Sequence, residues 1–147
     1  MNKFLLVSLL SCFSFNVLSE DWSLEKDIID ATEGYGLAQI YINKKSCLDD
    51  VILGLLVFKD VDVLSINNQN VRVQYFGRNN EGLPFYRASS SKGRLFIKNE
   101  FTQKLDVKVQ VPGKSDLFTF SAKGYLEAKK EKVRTCIQNR NVLESAL

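Results

Sequence analysis

The sequence predicts a mainly β domain, an antiparallel β-sandwich or barrel-like fold, with a C-terminal amphipathic α-helix. Three observations carry that expectation. Residues 105–111 alternate apolar and polar without a fault, as a half-buried strand requires. Residues 51–58 form a continuous apolar run, Val-Ile-Leu-Gly-Leu-Leu-Val-Phe, which fits a central strand buried on both faces. From Lys123 onward the chain becomes charged, and Leu126, Val133 and Ile137 recur near helical spacing.

The chain begins with a basic residue, Lys3, an apolar stretch over 4–15, and compact residues at Val17 and Ser19 before Glu20-Asp21. That is the layout of a secretory signal peptide spanning 1–19. The apolar run is shorter than the roughly 20 residues a bilayer span needs, so stable membrane insertion is not expected. Leu9-Leu10-Ser11-Cys12 offers a minor alternative, a lipoprotein carried on Cys12. The single exported β-rich domain is then 20–147, periplasmic or secreted, in a bacterial context.

Within that domain, 22–32 reads as either a first strand or a short helix. Strands are expected at 36–42 and 51–58. Residues 61–66 and 71–76 flank Asn67-Asn68-Gln69-Asn70, a turn composition that tolerates left-handed backbone. A longer loop covers 77–82, and strand pieces are expected at 83–87 and 94–101, on either side of a serine-rich loop. The strand at 105–111 turns through Pro112-Gly113-Lys114-Ser115 into a partner around 117–120, with Phe118 and Phe120 on one face. Ser121 is the expected N-cap of the final helix.

Composition excludes several chemistries. Loss of Lys3 with the leader leaves 19 basic against 17 acidic residues, a net charge of +2, too small to imply nucleic-acid binding. There is no histidine, so a Cys-His dyad is impossible and the commonest metal ligand is missing. No cofactor or metal site is expected. Cys47 and Cys136 predict a disulfide joining the beginning of the domain to its end, which would stabilise it by about 4–5 kcal/mol on the chain-entropy account.

Ser89 and Lys92 have the Ser-x-x-Lys spacing by which an amine can deprotonate a hydroxyl. They sit among three serines followed by glycine, and the supporting Lys-Thr-Gly element is absent, so the expectation is a polar loop. Asp49, Asp50, Asp60, Asp62 and Asp116 could supply an acid/base pair, but nothing in the sequence brings two of them together, and solvated surface is expected. The basic stretch from Lys123 to Arg134 reads as the wet face of the helix.

The best candidate binding surface is the loop pair 77–82 and 87–94, with Arg78, Asn79, Asn80, Phe85, Tyr86, Arg87, Ser89 and Lys92. Exposed Tyr, Arg and Asn suit protein contacts, because large rigid rings lose little entropy on binding. The profile is that of an exported, non-catalytic protein-binding domain, such as an inhibitor of a cell-wall hydrolase or an immunity protein against an exported toxin. The alternatives are a structural accessory subunit of an envelope machine and, less favoured, a small hydrolase.

Overall fold

The computed structural model describes residues 21–57 and 60–146. The expected leader, with Cys12, lies outside them, as does Phe58 at the end of the apolar run. In chain order the elements are β1 (Ile28–Asp30), β2 (Gly36–Ile42), β3 (Asp49–Leu55), β4 (Val63–Ile66), β5 (Gln69–Arg78), β6 (Pro84–Ala88), α1 (Ser91–Gln103), β7 (Asp106–Gln110), β8 (Leu117–Ser121) and α2 (Tyr125–Ser145). The ambiguous segment 22–32 thus contains a short strand and no helix.

All neighbouring strands pair antiparallel, in the order β1-β2-β3-β6-β5-β4-β7-β8. The sheet curls into a nearly closed barrel. Glu33, just after β1, bridges Thr119 on β8, and Thr32 N–H donates to the Thr119 carbonyl at 2.7 Å. This bridge brings β8 against the chain just after β1 and covers part of the edge that a flat sheet would leave open.

Alternation explains which residues fill the barrel. Val51, Leu53 and Leu55 of β3 enter the core with Leu64, Ile66, Val107 and Phe120 from facing strands. On the other face of β3, Gly54 lies under the Phe85 ring, whose carbons would stand 2.9 Å from a Cβ there. Residues 51–55 of the run are therefore buried on both faces, as its composition predicts, but the strand ends at Leu55 and Leu56 is 44 % exposed. The Asn67-Asn68 turn between β4 and β5 has positive φ at both residues (45° and 68°), conformations that asparagine tolerates.

The reading of 94–101 as a strand is overturned: these residues are helical. Ser90 is the N-cap, and its Oγ accepts the Gly93 N–H at 3.0 Å. The buried positions Gly93, Ile97 and Phe101 recur every four residues. Gly93 leaves room for close approach, since a Cβ would lie 3.1 Å from both Ala88 Cβ and Val71 Cγ1. A helix of 13 residues spans about 20 Å. That reaches across the roughly 14 Å separating β6 from β7, three strand spacings apart. α1 is thus the connection that crosses the barrel end where β3 begins and β6 finishes.

The start of α2 also differs from expectation. Ser121 is the last residue of β8, and the cap position belongs to Gly124, with φ 79°. The buried residues are Tyr125 and Ala128; Leu126 and Val133 are half-buried and Ile137 is exposed. Tyr125 packs on Phe101 and Trp22 (ring centroids 5.4 and 5.5 Å apart), which sets the buried face one residue earlier than the Leu126 series.

The Cys47–Cys136 disulfide is present, with 5.7 Å between Cα atoms. No helix among the described residues is long and apolar enough to cross a membrane. The crosslink closes a loop of 89 positions, so Cys136→Ser is expected to lower stability by about 2–4 kcal/mol. Urea titration of the oxidised domain and the variant measures this; a loss under about 0.5 kcal/mol would show that the crosslink does little to the unfolded chain.

Candidate functional site

The candidate loops do not form one surface. Arg78, Asn79 and Asn80 lie at one end of β6, and Ser89 and Lys92 follow its other end. The first loop is organised by its own bonds. Asn79 Oδ1 accepts the N–H groups of Glu81 and Leu83, and Arg78 Nη1 donates to the Gly82 carbonyl at 2.7 Å. Phe85 and Tyr86 are buried, each 5 % exposed: Tyr86 belongs to the core cluster, and Phe85, on the opposite face, packs over Gly54 beside Leu83. They belong to packing, which takes them off the expected contact surface.

The serine-rich stretch leads into α1, with Ser89 and Ser90 before it and Ser91 in its first turn, and is not a loop between strands. Its composition serves the cap. Ser90 caps the helix, Ser91 Oγ accepts from Arg94 Nη2 at 2.9 Å, and Ser89 Oγ donates to the Arg72 carbonyl at 3.2 Å. Ser89 and Lys92 are both exposed.

Ser89 and Lys92 border a cleft of about 460 Å³ with Arg72, whereas Arg87 lies in a separate one where charges of both signs meet. This second cleft, of about 320 Å³, lies between the first half of α1 and the β2–β3 turn. Its charged walls are Arg87, Arg94 and Lys98 against Asp49 and Asp50, with Tyr41 and Ser91 beside them. Each comes from a different place for a physical reason. Arg94 and Lys98 are one helical turn apart on α1 and share a face. Asp49 and Asp50 open β3, and as consecutive strand residues they project to opposite sides. Arg87 sits opposite Gln74, on the outer face of β6.

A bulge positions Arg87. The β5–β6 register slips between Tyr75 and Gly77, so Phe76 has no partner across the ladder. Its ring stacks edge-on with Tyr41, centroids 5.0 Å apart, and the Arg87 guanidinium carbon stands 4.9 Å over it. Arg87 Nε is buried and donates to no protein acceptor.

The other charges are engaged with one another. Arg94 Nε is 3.7 Å from Asp50 Oδ2, and Lys98 Nζ is 3.4 Å from Asp49 Oδ2. Lys98 also donates to the Asp49 carbonyl at 3.2 Å. Asp50 is 8 % exposed, which corrects the expectation of a solvated carboxylate; Asp60, Asp62 and Asp116 are exposed as expected. Burial raises the Asp50 pKa, opposed by the Val51 N–H bond and then by Arg94, Arg87 and Lys98. Behind the cleft, burial pushes the Tyr125 hydroxyl well up, and the two aspartates add to that shift.

A cleft holding two carboxylates invites an acid/base reading. Here both line the cleft, but they leave β3 on opposite sides and each is paired with its own cation, Asp50 with Arg94 and Asp49 with Lys98. Among the described residues, no group of three or more Cys, Asp or Glu clusters as metal ligands would. Sequence reasoning missed Tyr41 and Lys98, and it did not single out Arg94, which lies within the candidate range 87–94. Gly77, inside an otherwise good strand pattern, was the available sign of the bulge.

No protein-family model matches the chain, and no curated protein or solved structure matches it.

Two outcomes check the site's structural assignments. Ser90→Ala is expected to lose about 1 kcal/mol of stability through the cap, and Ser89→Ala less than about 0.5 kcal/mol. Equal losses in urea titrations would contradict the cap. For Asp50, the folded-state pKa lies above the ordinary value of 3.8, so the native state holds the proton longer. Native stability from this group falls as pH rises from the ordinary value through the raised one. Asp50→Asn should therefore gain on the wild type between pH 3.5 and pH 7, and a flat difference in urea titrations across that range would contradict the assignment.

Proposed function

We propose that the domain is an exported, non-catalytic protein-binding module, of the kind that inhibits a cell-wall hydrolase or neutralises an exported toxin, and that the cleft under α1 is its contact surface. The observation that carries this reading is Arg87. It is held in place by stacking on Phe76, half-buried, and left with a hydrogen-bond donor unmatched by the protein. A buried donor with no partner costs about 1–3 kcal/mol, so the fold retains it at the expense of stability. An arginine pre-oriented in a cleft is the usual anchor of a protein interface.

Two further features favour binding over the alternatives. The curled sheet leaves β1 and β8 joined through Glu33 and Thr119, which disfavours assembly by strand addition. The Ser89 hydroxyl is turned to the Arg72 carbonyl, and the Asp49 and Asp50 carboxylates are split by the strand, which disfavours a hydrolase.

The test is capture. Oxidised 20–147 is immobilised, an envelope and secretome extract is passed over it, and retained proteins are identified by mass spectrometry. One stoichiometric partner is expected, lost with Arg87→Ala and kept with Arg78→Ala, which changes the opposite end of β6. An empty column, or a partner indifferent to Arg87, would overturn the reading.

A further inference from the structure

We infer that the cleft takes a single carboxylate, the side chain of an aspartate or glutamate on a partner segment that also carries an apolar residue. This rests on the protein-binding reading and names its chemistry. Three cations face two carboxylates, so the cleft carries a net charge of +1. One monoanion neutralises it. A phosphate dianion would leave excess negative charge beside Asp49 and Asp50 in a partly buried site, where unpaired charge is costly.

The donor geometry points the same way. Arg94 is committed to Ser91 and Asp50, and Lys98 to Asp49. Arg87 is left as the donor for an incoming group. A guanidinium presents paired N–H groups that match the two oxygens of a carboxylate with parallel hydrogen bonds; with Nε buried, the terminal nitrogens of Arg87 supply that edge.

Protein, not a free small acid, is indicated by the rim. Leu48 and Leu95 flank the cleft and are 69 % and 56 % exposed. They provide apolar area that a small carboxylate would leave uncovered. Asp49 also borders a neighbouring groove along α2, where Lys129 and Lys130 stand among Val133 and Ile137. A segment crossing from cleft to groove would pass leucine side chains and then further cations. The expected ligand is thus an acidic stretch interrupted by an aliphatic residue.

The experiment follows the arginine Nε–H resonances of the oxidised domain in ¹⁵N-edited spectra, with the Arg87 signal assigned from Arg87→Lys. The probes are acetyl-Glu-Leu-Glu-amide, its Gln-Leu-Gln counterpart, sodium acetate and inorganic phosphate. The glutamate peptide is expected to shift the Arg87 signal saturably, at least ten-fold more tightly than the glutamine peptide or acetate. Arg87→Lys, which keeps the charge and loses the fork, is expected to weaken it about ten-fold, and Arg78→Ala to leave it unchanged. Equal binding of the glutamine peptide would overturn the inference, as would phosphate moving the signal at lower concentration than the peptide. Capture of a partner through Arg87 with no peptide response would overturn the carboxylate assignment alone. An Arg87-dependent peptide response with an empty capture column would support the carboxylate assignment and overturn only the function proposed above.

Discussion

Three aromatic rings hold the separate parts of this fold in register. Trp22 meets Phe101 at 5.8 Å and Tyr125 at 5.5 Å between centroids, both edge to face, and Phe101 meets Tyr125 at 5.4 Å. The three come from the beginning of the domain, the last turns of α1 and the first turn of α2. Trp22 is fixed in turn by hydrogen bonds, Nε1 donating to the Ser121 carbonyl at 2.8 Å and its backbone N–H to the Lys123 carbonyl at 3.0 Å. Gly124 lies against the Trp22 carbonyl so closely that a Cβ would collide with it, and its positive φ turns the chain from β8 into α2. Aromatic pairs of this kind contribute about 0.5–1.5 kcal/mol each beyond the area they bury. Their larger effect is positional. With Phe101 seated, α1 cannot slide along its axis, and Lys98 and Arg94, three and seven residues earlier, are held against the start of β3.

The same positional argument accounts for the cleft's charge arrangement. The ion pairs there are long, at 3.4 and 3.7 Å, and their side chains are 11 to 30 % exposed. Pairs of that kind stabilise by up to about 1 kcal/mol each. They are too weak to place a helix, so the helix must place them. The aromatic cluster and the Gly93 approach to Ala88 and Val71 do so from either end of α1. Asp50 follows as a consequence: packing holds it in a partly desolvated position, and burial outweighs the nearby cations in setting its pKa.

Most strands were legible because their residues alternate and because their turns carry asparagine, proline or glycine. Residues 105–111 and 117–120 needed only those two signals. α1 was not legible as a helix because Leu95-Phe96-Ile97 is also a good strand sequence, and local propensity favours neither state strongly. The deciding information was the Ser90 cap together with Gly93, Ile97 and Phe101 at four-residue intervals, a pattern whose first member is a glycine that no hydrophobicity count registers. For α2, Ser121 looked like a cap because serine suits that position, yet β8 extends through it to pair with Asp106. The cleft was hidden for a different reason. Its charged walls come from 49–50, 87 and 94–98, and only the curl of the sheet and the crossing of α1 bring them together. Arg87 was found through its aromatic neighbours, two of which, Phe85 and Tyr86, proved to be packing.

The disulfide connects these observations, because Cys47 immediately precedes the cleft's rim. It adopts a left-handed backbone conformation, φ 54°, which costs a non-glycine residue about 1–2 kcal/mol. The β2–β3 turn accepts that cost through its bonds. Asn43 Oδ1 takes the N–H groups of Lys45 and Ser46, and the Asn43 carbonyl takes that of Cys47 at 2.7 Å. The bridge to Cys136 then ties this turn to α2, so that Leu48, Asp49 and Asp50 leave a point fixed to two elements at once. On the proposed binding, a rim held in this way has little conformational entropy left to lose, and that saving adds to affinity. The crosslink joins distant ends of the chain, yet its local effect falls on three consecutive residues of the cleft wall, Leu48, Asp49 and Asp50. A surface built on weak ion pairs and one stacked arginine depends on such pre-organisation, because none of its contacts is strong enough to order a mobile loop by itself.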